Sequence, residues 1–181
     1  MQLILVLETR PSCNSDYRYI KATIDYFYKP RSFSIKPIYA KNKGELVKQD
    51  AKIKEEIKRY DGESKVVVCA DYDGPTSPEN PFIESYCIEH GYDLVWMNLN
   101  IEHVYLNNPS VRNKEKESIN FLRRSESILS KLSNLSQENP QNSTPSTNLI
   151  VVLDKYLEKK WHKNYCFVIN LHENWDKYGI I

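Results

Sequence analysis

The chain has 181 residues, a formal net charge of +1 and a composition that is 40% hydrophobic and 12% aromatic. This length suits one domain with a full core, alone or with a small appendage, so a second complete domain is not expected. Because the net charge is close to zero, any binding of nucleic acid must depend on a local basic surface. No apolar segment has the length of a membrane span or a signal peptide, so the sequence predicts a cytoplasmic protein without a membrane partner.

The first two-fifths of the chain alternate between strand-like and helix-like patterns. Apolar runs predict strands at 2–8, 33–39 and 65–70, and amphipathic patterns predict helices at 15–30 and 45–60. A proline inside the second strand favours an edge position, while the continuous apolar run of the third strand favours the centre of a sheet. This alternation predicts parallel strands joined by right-handed crossovers.

The second part of the chain predicts one more strand and then mainly helices. A third helix around 82–87 is capped by Gly91 and leads to a fourth strand at 93–97. The later predictions, in order, are a short helix at 101–106, a helix at 114–135 with Ile119, Leu122, Leu129 and Leu132 on its apolar stripe, a flexible linker near 136–148, a helix near 149–160 and a strand at 165–171. The expected fold is therefore α/β, a mostly parallel sheet of about four strands flanked by helices, with a helical C-terminal extension at 107–181.

Acidic side chains stand where two of these strands end: Glu8 ends the first apolar run, and Asp71 and Asp73 follow the third. Since the carboxyl ends of parallel strands open into one crevice, we expect these side chains to be neighbours, with Asp71 and Asp73 on the same side. Three uncompensated carboxylates would repel one another, and a bound Mg²⁺ or Mn²⁺ would remove that cost. The alternative is that each acid forms a turn or caps a helix.

Further candidates lie close to these strand ends in the predicted fold. Asp16 and Glu102 are accessory acids near helix starts, with a solvated helix surface as the alternative, and His103 could serve as a ligand or base. Arg10 and Lys21 are candidates for contacts with nucleic-acid phosphates, with solvated surface charge as the alternative.

This arrangement of residues resembles the toprim domain of topoisomerases, primases, OLD-type nucleases and small nucleases. The shared pattern is a Glu that ends strand one, two helix–strand crossings, and an Asp-x-Asp that ends a later strand. More narrowly, the chain resembles the RloB-like toprim family over roughly residues 1–106. The residues that carry this narrower likeness are Ser15, Asp16 and Tyr17 at the start of helix one, and Asn98, Asn100, Glu102 and Tyr105 after strand four.

The resemblance implies a toprim-like, Rossmann-like core at 1–106 and a metal-dependent nuclease that hydrolyses phosphodiester bonds in DNA or RNA. Asp71 and Asp73 would bind Mg²⁺ or Mn²⁺, and Glu8 would bind the metal or transfer a proton. The family likeness also implies a function in anti-phage defence, with nucleic acid and an ABC-type ATPase as partners, and it leaves a homo-oligomer open.

Two other functions remain open from the sequence. The loop from Asp71 to Thr76 resembles that of haloacid-dehalogenase-like phosphohydrolases, in which Asp71 would be the nucleophile and Asp73 the acid/base. A non-catalytic toprim-like binding module of a defence complex is the second alternative, with the basic stretch 112–124 as its contact surface.

Overall fold

A computed structural model describes residues 1–29, 33–136 and 149–157, with no side chains described at 131–136, 150 and 151. Four features predicted from the sequence lie wholly or partly outside these residues: the end of the first helix at Pro30, the linker near 136–148, the end of the helix near 149–160 and the strand at 165–171.

The centre of the fold is a four-stranded parallel sheet. Its strands are β1 (Gln2–Leu7), β2 (Ser34–Tyr39), β3 (Ser64–Tyr72) and β4 (Asp93–Asn98). They are ordered β2-β1-β3-β4, and every pair is parallel. The predicted α/β class is therefore confirmed, as are the edge position of the proline-containing strand and the central position of β3.

Helices cover both faces of this sheet. They are α1 (Ser15–Phe27), α2 (Lys43–Leu46), α3 (Asp50–Arg59), α4 (Glu79–His90), α5 (Ile101–Leu106), α6 (Lys114–Ser136) and α7 (Leu149–Asp154). The single helix predicted at 45–60 is in fact α2 and α3 joined by a 3₁₀ turn at Val47–Gln49. The break divides one amphipathic pattern between two short helices, which pack on the same face of the sheet.

Side-chain alternation along the strands creates two separate cores. Leu3, Leu5 and Leu7 of β1 point to the face covered by α1, α5, α6 and α7. Ile4 and Val6 point to the opposite face, which is covered by α2, α3 and α4. Since α6 and α7 join the same core as β1, they pack on the sheet itself, while the domain boundary at residue 106 stays a prediction.

The buried stripe of α6 differs from the predicted one. Ile119 and Leu122 are 37% and 43% exposed, whereas Phe121 and Leu129 are fully buried. Phe121 sets this rotation because its ring packs against two buried tyrosine rings, one from α1 and one from α5. An aromatic cluster therefore decides which side of α6 faces the sheet. Within the described ranges, no helix is long and apolar enough to cross a bilayer.

Candidate functional site

Three helices begin at the carboxyl edge of the sheet, on the same face. In a parallel sheet each strand leads into its helix at this edge, so α1 and α5 start there directly after their loops. The start of α6 lies beside that of α1, because Arg18 Nη1 donates to Ser118 Oγ at 2.9 Å. This geometry places Asp16, Glu102 and Lys114, which lie in the first turns of α1, α5 and α6, near the end of β3.

The two strand ends that carry the predicted acids are in direct contact. The Asp71 backbone N–H donates to Glu8 Oε2 at 3.2 Å, and the Glu8 N–H donates to the Cys69 carbonyl oxygen at 3.3 Å. Burial raises the pKa of Glu8, although the bond from Asp71 and the nearby Lys43 ammonium act in the opposite direction. The expected proximity of Glu8 and Asp71 is thus present in the structure.

Asp71 lies close to three other carboxylates, those of Glu8, Asp16 and Glu102. Burial raises its pKa to about 8, and the charges of Asp16 and Glu8 contribute to the increase, while Lys114 partly offsets it. Burial likewise raises the pKa of Asp16 to about 6, although Ser15 Oγ donates to its Oδ1 at 2.8 Å. Two carboxyl groups at this edge therefore have reduced acidity, mainly because burial disfavours the charged form and also because other carboxylates lie close to them.

Glu102 is the most deeply buried acid of the group, with no exposed surface. Lys114 Nζ lies 3.1 Å from its Oε2 in an ion pair. Within the described part of the chain, Glu102 Oε1 has no hydrogen-bond partner, and the buried hydroxyl of Tyr19 also lacks one. Unsatisfied buried polar atoms are uncommon in folded proteins, and they indicate a place for water or an ion.

Asp73 lies apart from this acidic group. Its Oδ2 forms an ion pair with Lys43 Nζ at 2.6 Å, and Lys43 also donates to Asn80 Oδ1 at 3.3 Å. The expectation that Asp71 and Asp73 share a side assumed that strand geometry continues, but β3 ends at Tyr72 and Gly74 adopts a φ of 95°. Asp73 consequently faces α2 and α4, whereas Asp71 faces α1 and α5.

The remaining predicted residues lie outside the acidic group. His103 is buried, and its Nδ1 lies 3.2 Å from the Asn98 carbonyl oxygen, a contact that fixes the ring. Lys21 forms an exposed ion pair with Asp25 at 2.5 Å, and Arg10 is exposed in the loop before α1. The structure therefore does not bring these three side chains into one site with Asp71.

Sequence reasoning missed two residues of this edge. Lys43 follows an ordinary helix cap, in which Asn42 Oδ1 accepts the Glu45 N–H, and nothing in the sequence separates it from the other lysines. Tyr19 has the spacing of a core residue on α1, and its spacing gives no sign that the hydroxyl lies near the acids. Both residues gain their significance from tertiary neighbours.

The donor set suits a hard divalent cation, since Mg²⁺ and Mn²⁺ prefer carboxylate oxygens. Across the residues that the structure describes, however, no group of three or more His, Cys, Asp or Glu side chains is arranged to hold a metal ion. A cation bound here would have to draw the carboxylates of Asp16, Asp71 and Glu102 toward it. The chemistry of the residues fits a metal, and the fit requires side-chain movement.

Comparison of the chain with protein-family models, with curated proteins and with solved structures finds no match. Function is therefore inferred from the site itself.

Proposed function

We propose that this chain is a metal-dependent phosphodiesterase that cleaves DNA or RNA. The observation that supports this best is the convergence of four acids, Glu8, Asp16, Asp71 and Glu102, at the carboxyl edge of a parallel sheet. Burying that much negative charge costs stability, and proteins retain such costs mainly at functional sites. A bound divalent cation would neutralise part of this charge and would stabilise the negative charge that develops on a phosphoryl group.

Asp16, Asp71 and Glu102 are the residues that would hold the cation. When bound, a divalent cation stabilises extra negative charge on a phosphoryl group and lowers the pKa of bound water. Glu8 lies beside them, and burial raises its pKa, which favours a carboxyl group that exchanges protons with a reacting oxygen. Its contact with the Asp71 backbone holds this carboxylate at the edge of the acidic group.

The identity of the substrate depends on the likeness to toprim proteins of the RloB-like type. Nucleic acid as substrate, anti-phage defence, an ABC-type ATPase as partner and a cytoplasmic location are parts of the same proposal. The acidic group itself supports phosphoryl transfer in general, so these finer assignments need their own tests.

Two contacts favour the phosphodiesterase over its rivals. In a haloacid-dehalogenase-like mechanism Asp71 and Asp73 must act together at one phosphorus atom, whereas Asp73 is held in an ion pair with Lys43 on the side of α2 and α4. In a binding module the stretch 112–124 would present its cations to a partner, whereas Lys114 is directed inward to Glu102.

The test is cleavage of labelled DNA and RNA by the purified chain in the presence of Mn²⁺. We expect the wild type and the exposed-acid control Glu89→Gln to cut, and Asp71→Asn and Glu8→Gln to lose cutting, because the control acid lies far from the strand ends. Cutting that persists in both site variants, or no cutting by the wild type, would overturn the proposal.

A further inference from the structure

Lys43 is the most deeply buried cation at the carboxyl edge, with only 2% of its surface exposed. Lysine is almost never buried to this extent unless its ammonium group is paired, because removing the charge from water is costly. Its position follows β2 directly, at the start of α2. A fixed positive charge is thus built into the edge of the sheet that also carries the acidic group.

The position of this ammonium group does not depend on Asp73 alone. Asn80, itself buried, accepts a hydrogen bond from Lys43 and donates its own Nδ2–H to the Gly74 carbonyl oxygen at 2.9 Å. The Trp96 ring lies on another side, with its centroid 5.7 Å from Nζ. Asn80 and Trp96 would therefore hold Lys43 in place when Asp73 moves away.

Asp73 is suited to moving away. Its side chain is 57% exposed, so water can solvate the carboxylate as soon as the ion pair opens. It lies in the loop after β3, beside Gly74, where the backbone is no longer held by the sheet. Lys43 thus carries a buried charge whose partner is exposed and exchangeable, an asymmetry that a purely structural ion pair does not require.

We propose that Lys43 forms a phosphate-binding subsite, in which Asp73 is the resting counter-ion and a non-bridging oxygen of a phosphodiester is the ligand. A carboxylate oxygen and a phosphate oxygen accept charge-assisted hydrogen bonds from an ammonium group in the same way. The Lys43 charge acts on Glu8, which contacts the Asp71 backbone, so a phosphate on Lys43 would lie next to Glu8 at the margin of the acidic group. The choice of a nucleic acid as the phosphate source rests on the proposed function.

The test is binding without metal, so that it does not depend on catalysis. Fluorescence anisotropy with single-stranded DNA and RNA of about 12 nucleotides in EDTA would compare the wild type with Lys43→Met and Asp73→Asn, with inorganic phosphate as a competitor. We expect Lys43→Met to weaken binding about tenfold, because it removes the buried charge and keeps the side-chain volume. Asp73→Asn should strengthen binding about threefold, because it removes the competing anion.

Lys41→Met is the matched control, since Lys41 is exposed and only two residues away. The subsite is refuted if Lys43→Met binds as well as Lys41→Met, if Asp73→Asn binds more weakly than the wild type, or if the wild type binds neither oligonucleotide. Melting temperatures of all variants confirm that they are folded before binding is compared. If the wild type binds the oligonucleotides but does not cut with Mn²⁺, the proposed function is rejected and the subsite remains supported. If the wild type cuts but Lys43→Met binds normally, the subsite is rejected and the proposed function remains supported.

Discussion

The two sides of the sheet's carboxyl edge differ in which sign of charge is buried. On the side of α1 and α5, Asp16 and Glu102 are buried, Asp71 is half-buried, and their cation Lys114 is partly exposed. On the side of α2 and α4, the cation Lys43 is buried and its acid Asp73 is exposed. One side therefore has an excess of buried negative charge, and the other holds a buried positive charge.

The two aspartates of an Asp-x-Asp motif, here Asp71 and Asp73, therefore need not be equivalent ligands. Asp71 is the last but one residue of β3, whereas Asp73 lies just beyond the strand and before Gly74, whose φ is 95°, so the two acids have different surroundings. Glu8 lies between the two sides, in contact with Asp71 and within reach of the Lys43 charge. Under the proposed function, a phosphodiester would meet the acidic group on one side and the Lys43 ammonium on the other.

The largest effect that separates the two sides should come from Asp71→Asn. We expect cleavage in Mn²⁺ to fall about a thousandfold, because the central carboxylate of the metal-binding group is lost. Above about pH 8, where Asp71 is ionised, the same change should stabilise the metal-free fold, because it removes a charge that burial disfavours. Parallel measurement of cleavage rate and melting temperature checks this, and a less active variant that is also less stable would contradict the excess of negative charge on this side.

The next effect is the dependence of stability on pH. The pKa of Asp71 is about 8 in the folded chain, against an ordinary value of 3.8, so the folded state binds the proton more tightly. Stability from this group is therefore complete below about pH 4 and is lost as the pH rises toward 8. Denaturant unfolding in EDTA should show a decrease of roughly 3–4 kcal/mol between pH 5 and pH 8.

Comparison of the wild type with Asp71→Asn shows how much of this decrease in stability comes from Asp71. In Asp71→Asn it should be clearly smaller, and Asp16, with a pKa of about 6, should account for part of the remainder. Adding Mg²⁺ to the wild type at pH 8 should restore stability. An identical pH profile in the wild type and Asp71→Asn would show that Asp71 is not the group responsible.

A smaller effect is expected on the other side of the edge. Asp73→Asn leaves the buried Lys43 charge without its anion and should cost about 1–2 kcal/mol of unfolding free energy, whereas Lys43→Met releases an exposed carboxylate to water and should cost less. The double variant should recover most of the loss caused by Asp73→Asn. Urea unfolding of the three variants measures this cycle, and additive losses would indicate that the two side chains are not coupled.

The smallest effect concerns the unpaired hydroxyl of Tyr19. Tyr19→Phe keeps the ring that packs against Tyr105 and Phe121 and removes a buried group without a partner in the described structure. We expect the metal-free protein to gain about 0.5–1 kcal/mol of stability. A loss of stability, measured in the same urea series, would mean that a bound water satisfies the hydroxyl.

The fold could be predicted well from the sequence. The apolar runs of β1 and β3 and the helix cap at Gly91 leave few alternative assignments of strands and helices. The sequence also predicted the contact between Glu8 and Asp71, since parallel strand ends meet at one edge. The stripe of α6 was predicted correctly at Leu129 and wrongly at Ile119 and Leu122, because packing of the Phe121 ring outweighs the simple periodicity; the side chain of Leu132 lies outside the described structure. The separation of Asp71 from Asp73 could not be predicted, because it depends on where β3 stops.

The accessory acids show the same limit. Asp16 and Glu102 were identified by their places at helix starts and by family likeness, but their burial depends on how α1, α5 and α6 converge. Lys43 needed the tertiary structure entirely, since only its neighbours Asp73 and Asn80 distinguish it from an exposed lysine.

Titration calorimetry with Mn²⁺ tests the central claim most directly, namely that the cation belongs to the side of Asp71. The wild type should bind Mn²⁺, Asp71→Asn should lose at least about tenfold in affinity, and Asp73→Asn should remain within about threefold of the wild type. Equal losses in the two variants, or no Mn²⁺ binding by the wild type, would contradict the division of charge between the two sides.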